Sequence, residues 1–248
     1  MTDATMLAKR IGMMVPSSNI VAEPVTAAML EGVAGVTLHV TRFRVTRLDT
    51  SAEALAQFQT DPLFSAADLL MDAKMNAVCL NATAACYTGM QHDRALVAAM
   101  RARGIAADTA MLALLDLLRA MGATRIGLVT PFLHDVQEAT IRVLAEEGIA
   151  VVAERHFNDP GNFSFARFDE TAVTALTREV AAAPGVQAVA IISTNLRGAR
   201  PAVTVEAETG IAVLDTCATA LWGALRCAGV SPSVVRGWGR LFEVPPPR

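Results

Sequence analysis

The sequence predicts an α/β fold made of two duplicated halves, each a mainly parallel sheet flanked by helices. Three observations predict it. Short apolar runs ending in Pro, Ser, Thr or Asn alternate with helical periodicity across the 248 residues. The order of these segments recurs about 110 residues later. A hydrophobic content of 53% is enough to fill a sizeable core.

Taken in order, the first strand is Ile11 to Val15, inside Arg10-Ile11-Gly12-Met13-Met14-Val15-Pro16, which is echoed by Arg125-Ile126-Gly127-Leu128-Val129-Thr130-Pro131. Gly35 to Val40, with Arg42 just after, maps onto Gly148 to Ala153 with Arg155. Asn76 to Thr83, with its strand Ala77 to Leu80, maps onto Gln187 to Thr194, whose strand is Ala188 to Ile192. The clearest echo is Asp108-Thr109, followed by the helix Ala113 to Gly122, against Asp215-Thr216, followed by Ala220 to Gly229. Any one match is weak, because Gly-Ile-Val strings are common. Four matches in one order with slowly drifting offsets indicate duplication rather than a single doubly wound domain. The halves expected are 1–117 and 118–248, with 215–248 able to cross over to the first. The cleft between them is the expected active site.

Composition narrows the function. A net charge of -3, with 24 acidic and 21 Lys and Arg residues spread along the chain, gives no basic stripe for nucleic acid and no cationic membrane face. Lys9 and Arg10 interrupt the N-terminal apolar stretch, and no run reaches membrane-spanning length, so a soluble, cytoplasmic protein is expected. Cys79, Cys86, Cys217 and Cys227 show no metal-ligand or disulfide spacing, so no metal and no cofactor are expected. Neither GxxxxGK[ST] nor GxGxxG is present, which argues against a nucleotide.

Ligands of parallel sheets bind beyond the strands' carboxyl ends. Four stretches fall there: Ser17-Ser18-Asn19, Ala82-Thr83-Ala84, Phe132-Leu133-His134 and Ser193-Thr194-Asn195-Leu196-Arg197. Hydroxyls, amides, one imidazole and one guanidinium suit a small carboxylate held without a metal, although Ser, Thr and Asn at such positions also cap helices. Arg197 can grip a carboxylate in a bidentate fork, with Arg200, Arg42, Arg44 and Arg155 as alternatives. The run from Asn158 to Asn162 reads as a flexible loop that either covers the cleft or is an ordinary surface turn, and Tyr87 and Phe163 are candidate pocket walls. The tail from Val244 to Arg248 reads as extended.

The Val15 to Asn19 stretch, the segment Asn76 to Gly89, the turn Thr130 to Val136 and the motif Ser193 to Arg197 together resemble maleate cis-trans isomerases and arylmalonate decarboxylases of the aspartate/glutamate racemase superfamily. The resemblance covers nearly the whole chain. The Pro-Ser-Ser-Asn turn is similar to the isomerases, whereas Ala82, Thr83 and Tyr87 are spaced more like the decarboxylase. It implies cofactor-independent chemistry in which cysteines at the paired strand ends add to a double bond or exchange a proton beside a carboxylate. Here the two positions carry Ala82 and Ser193, and the second-half tyrosine position carries Phe132.

The expected substitutes are Ser193, His134 and Cys86 as catalytic groups, with Cys217 as a further thiol. Cys79 reads as a buried small hydrophobe and Cys227 as a structural helix residue. Ser17, Ser18, Asn19, Ala82, Thr83, Ala84, Phe132, Thr194, Asn195 and Arg197 are expected to bind substrate. The leading activity is isomerisation of a small mono- or dicarboxylate. Decarboxylation of a substituted malonate comes next, and a paralogue that only binds a carboxylate, or uses Ser and His chemistry, comes third. The expected partners are that carboxylate and, as an open option, a second copy of the chain.

Overall fold

The computed structural model of the chain describes residues 8–46, 57 and 60–245. In the first half, β1 (Lys9–Pro16), β2 (Val36–Phe43), β3 (Ala77–Leu80) and β4 (Ala107–Thr109) form one sheet in the order β2-β1-β3-β4. In the second, β5 (Arg125–Thr130), β6 (Ala150–His156), β7 (Ala188–Ile191) and β8 (Ala212–Asp215) repeat that order as β6-β5-β7-β8. Every pairing within the two sheets is parallel. The duplicated order read from the sequence is thus a duplicated topology. The predicted core strands agree with β1, β3, β5 and β7 to within a residue or two at their ends.

The helices of the first half are α1 (Ala22–Met29), α2 (Thr60–Asp72), α3 (Ala85–Thr88), α4 (Met90–Ala102) and α5 (Ala110–Ala120). Those of the second are α6 (His134–Glu146), α7 (Glu170–Ala181), α8 (Ala199–Thr209) and α9 (Thr216–Cys227). Gly12 on β1 and its repeat partner Gly127 on β5 have a steric reason. A Cβ on Gly127 would sit 2.2 Å from Val180 Cγ1 on α7, and one on Gly12 would sit 2.9 Å from Leu70 Cδ1 on α2. At Gly127 the stiff Val180 side chain leaves no room for a methyl, whereas at Gly12 the end of Leu70 would have to shift.

Side chains ending β4 and β8 start the next helices. Thr109 Oγ1 accepts from Leu112 N–H at 3.1 Å, and Asp215 Oδ1 accepts from the N–H groups of Cys217 and Ala218. Helix α9 packs against α5, β3 and β4 of the first half. Its Arg226 donates to Asp108 Oδ2 and Asp116 Oδ2, each at 2.7 Å, and Thr219 Oγ1 donates to Ala110 O. The tail continues this tie: Trp222 Nε1 donates to Val244 O, and the last three residues lie outside the described residues. Among the described residues no helix is long and apolar enough to cross a membrane.

Candidate active site between the strand ends

The turn after β1 is built by short polar side chains. Asn19 Oδ1 accepts from the N–H groups of Val21 and Ala22, which caps α1, while Arg42 on β2 donates to Asn19 O at 2.7 Å and pairs with Glu23. Capping uses the oxygen of Asn19 and leaves its nitrogen. Asn19 Nδ2 donates across the molecule to Thr194 Oγ1 at 3.0 Å, and Ile20 N–H donates to Asn195 Oδ1 at 2.9 Å. Ser17 and Ser18 both hold Val45, and Asn162 Nδ2 donates to Ser18 Oγ at 2.8 Å.

The turns after β3 and β7 meet. Thr194 Oγ1 donates to Asn81 O at 3.2 Å, so the turn that carries Ser193 is bonded to the turn that carries Ala82. Ser193 is 3% exposed; its N–H donates to Thr216 Oγ1, and its Oγ accepts from Asn195 N–H. The N–H groups of Ala82, Thr83 and Ala84 on one side, and of Thr194 on the other, have no acceptor among the described residues; nor does the Thr83 hydroxyl have a partner. All four residues are buried. Orphaned N–H groups are rare in protein interiors, and donors left free on two turns that bond to each other are suited to an anion. One side of the site is apolar: the Phe132 ring meets Tyr87 edge-on at 6.3 Å and Phe165 at 5.9 Å.

The structure thus brings together Ser17, Ser18, Asn19, Ala82, Thr83, Ala84, Ser193, Thr194 and Asn195, with Phe132 joined through Tyr87. Three expected residues stand elsewhere. Cys86 is fully buried where α3 packs on α6, accepts from Thr140 Oγ1 at 3.6 Å, and is pushed up to about 12 by burial, which removes the thiolate its chemistry needs. His134 is 72% exposed at the start of α6, against Glu138 and stacked on His156. Arg197 is exposed and donates to Ala166 O, in a groove lined by Pro24, Glu170, Arg200 and Trp238; Arg200 stacks on that tryptophan.

Cys217 is buried below the cleft, donating to Thr194 O at 3.2 Å, and burial holds its thiol well above the ordinary range. Cys79 is fully buried, and Cys227 is half-buried with its thiol directed at Ala107 O. Arg155 pairs with Glu179, both exposed.

Several residues were not foreseen. Asn162, read as part of a flexible loop, is buried, donates to Ser18 and accepts at its carbonyl from Asn195 Nδ2 at 2.7 Å. The loop is also tied by Asp159 N–H donating to Pro131 O. Asp215 is buried, and its Oδ2 has no partner among the described residues. Burial pushes it up to about 7, its two backbone N–H donors pulling only partly back. Its repeat equivalent Asp108 has Arg226 beside it, a cation that Asp215 lacks. The repeat itself marked this pair, but only coordinates reveal which one carries the arginine.

Two four-stranded parallel sheets whose strand ends close on a shared cradle define a member of the aspartate/glutamate racemase superfamily. More closely, the model of the arylmalonate decarboxylase family matches residues 11–242, and the chain belongs to that family. It is 33% identical over 159 residues to the arylmalonate decarboxylase of Bordetella bronchiseptica, a match covering 63% of this chain and 66% of that protein. It is 29% identical over 247 residues to a maleate isomerase of Pseudomonas putida, covering 94% of this chain and 97% of the relative. Among solved structures, a Nocardia farcinica maleate cis-trans isomerase variant holding a covalent succinylcysteine intermediate superposes with a TM-score of 0.84. That structure is 25% identical, over 95% of this chain and 98% of the other.

Proposed function

We propose that the chain is a cofactor-independent isomerase that converts maleate, or a cis-dicarboxylate of similar size, to its trans isomer in the cleft between the halves. The observation that carries this reading is the pair of buried turns at Ala82 to Ala84 and Ser193 to Asn195, with N–H groups left without acceptors. Rotation about a carbon–carbon double bond requires that bond to become single for a moment. A nucleophile adding to one carbon drives electrons onto the carboxylate of the other, and the enediolate so formed needs fixed donors around it. In this reading the free N–H groups and the Thr83 hydroxyl are those donors. The cross-half bonds of Asn19, Thr194, Asn195 and Asn162 fix the distance between the two sides.

The Nocardia relative forms its covalent intermediate on cysteine. In this chain Ala82 offers no nucleophile, and the Ser193 hydroxyl is a far weaker acid than a thiol. His134, being exposed and paired with Glu138, is not disposed to activate it.

Decarboxylation of a substituted malonate is the second reading. It is favoured by the apolar side formed by Tyr87, Phe132 and Phe165, where a carboxylate forced out of water becomes a better leaving group.

Incubation of the purified protein with maleate, followed by proton NMR, is expected to give fumarate, slowed by Thr83→Val. Untouched maleate together with loss of carbon dioxide from phenylmalonate would transfer the function to the second reading. Binding of both acids without turnover would leave a carboxylate-binding paralogue.

A further inference from the structure

Beside Ala82, where α4 passes the end of β3, lies a small and largely enclosed cavity of about 10 Å³. Leu63, Leu80, Ala82, Ala84, Ala85 and Leu96 give it apolar walls, and Thr88, His92 and Asp93 are its polar groups. That volume accommodates one water molecule, provided polar groups surround it. Asp93 is 4% exposed, and its Oδ2 has no partner among the described residues. The Thr109 hydroxyl nearby lowers the pKa of the same carboxyl in part. A buried carboxylate oxygen without a donor is costly, and it faces a space that adjoins the residue standing in place of the family thiol.

We propose that the Asp93 carboxyl holds a water in this cavity and that this water, with Asp93 as its base, supplies the nucleophile that Ala82 cannot. Asp93 exchanges the proton of the attacking water and is the general base of the step. The inference rests on the isomerase reading and deepens it. The water oxygen forms a bond to one alkene carbon of maleate as Asp93 takes up the released proton. The electron pair of the double bond moves to the neighbouring carboxylate as an enediolate, held by the free N–H groups. After rotation about the single bond the electron pair returns, the carbon–oxygen bond breaks, and Asp93 gives its proton back to the water. Nothing is consumed. An enediolate that is protonated by solvent before reversal leaves as malate, the hydration product.

Burial comes first in setting the protonation of Asp93, and the neighbouring groups adjust it. His92 and Arg94 lie on its own helix, Asp108 lies within β4, Cys79 on β3 and Cys86 on α3. Burial dominates and pushes Asp93 up to about 6, so it is mostly ionised, as a base must be, at pH 7 and above.

The test uses the full chain with maleate. A high-resolution crystal structure is expected to hold a water on Asp93 Oδ2 beside Ala82, and a cavity without one overturns the inference. In Asp93→Asn, kcat is expected to fall by about 100-fold or more with maleate affinity unchanged. The wild-type rise of kcat through pH about 6 disappears with it, and a purely structural role would not remove that limb. A trace of malate carrying oxygen-18 from labelled water is expected in the wild type alone. Asp93→Asn with wild-type kcat and the same pH profile sinks the inference and leaves the isomerase reading standing. A wild type that holds the water but leaves maleate untouched removes the isomerase reading and keeps the water site.

Discussion

Replacing Asp215 by asparagine tests how the halves differ despite their repeat. The Asp215 carboxyl is buried, caps α9 through Oδ1, and is raised from 3.8 to about 7. Asparagine keeps an oxygen for the two N–H donors and cannot ionise. With the folded value above the unfolded one, the folded chain retains a proton that the unfolded chain releases, so stability falls as pH rises between about 4 and 7. Below that window both states are protonated and the term is absent; above it the loss is complete and constant. Three units at roughly 1.4 kcal/mol each amount to about 4 kcal/mol. No discount for solvent screening applies, because the group is fully buried. Urea unfolding at pH 5, 6, 7 and 8 is expected to show Asp215→Asn gaining on the wild type at each step and levelling off at pH 8. The difference between the two chains isolates this group from Asp93, which shifts in the same direction. Parallel pH profiles for the two chains would refute the reasoning, since they would mean that the carboxyl is hydrated or paired.

Three further perturbations follow from the packing. Thr194→Val removes the bridge between Asn19 Nδ2 and Asn81 O, leaving two buried polar groups without that partner, and is expected to destabilise by roughly 2–4 kcal/mol in urea unfolding. A loss under about 0.5 kcal/mol would mean that the halves do not meet there. Gly127→Ala drives a methyl into Val180 and is expected to cost about 1–3 kcal/mol, largely recovered in the double variant with Val180→Ala; additive losses in that cycle would contradict the close approach of α7 to β5. Iodoacetamide at pH 8 is expected to leave Cys79, Cys86 and Cys217 unmodified in the native chain and to label them after unfolding; rapid native labelling of Cys86 would return it to the list of reactive groups.

The repeat made the architecture legible. Arg10-Ile11-Gly12 and Arg125-Ile126-Gly127 start equivalent central strands, and the two sheets share one strand order. Parallel strands buried on both faces leave uninterrupted apolar runs, and the polar residue that ends each run marks the edge of the cleft. The same logic put Asn19, Thr83 and Ser193 at the strand ends, and the absence of cysteine from positions 82 and 193 is a fact of the chain alone.

Reach and burial were decided only by the tertiary structure. Whether Cys86 faces a ligand or the α3 to α6 contact depends on a helix orientation set by packing between halves, which local sequence does not encode. Arg197 follows the right motif yet turns to Ala166, because a long side chain goes where an acceptor and solvent are both available. Asn162 and Asn195 lie 33 residues apart and meet through a single hydrogen bond, and Asp108 and Asp215 look alike in sequence until Arg226 arrives beside one of them. Periodicity and turn chemistry are local and repeat with the chain. The pairing of buried polar groups is made between distant segments, and it is there that the two halves of this protein cease to be copies.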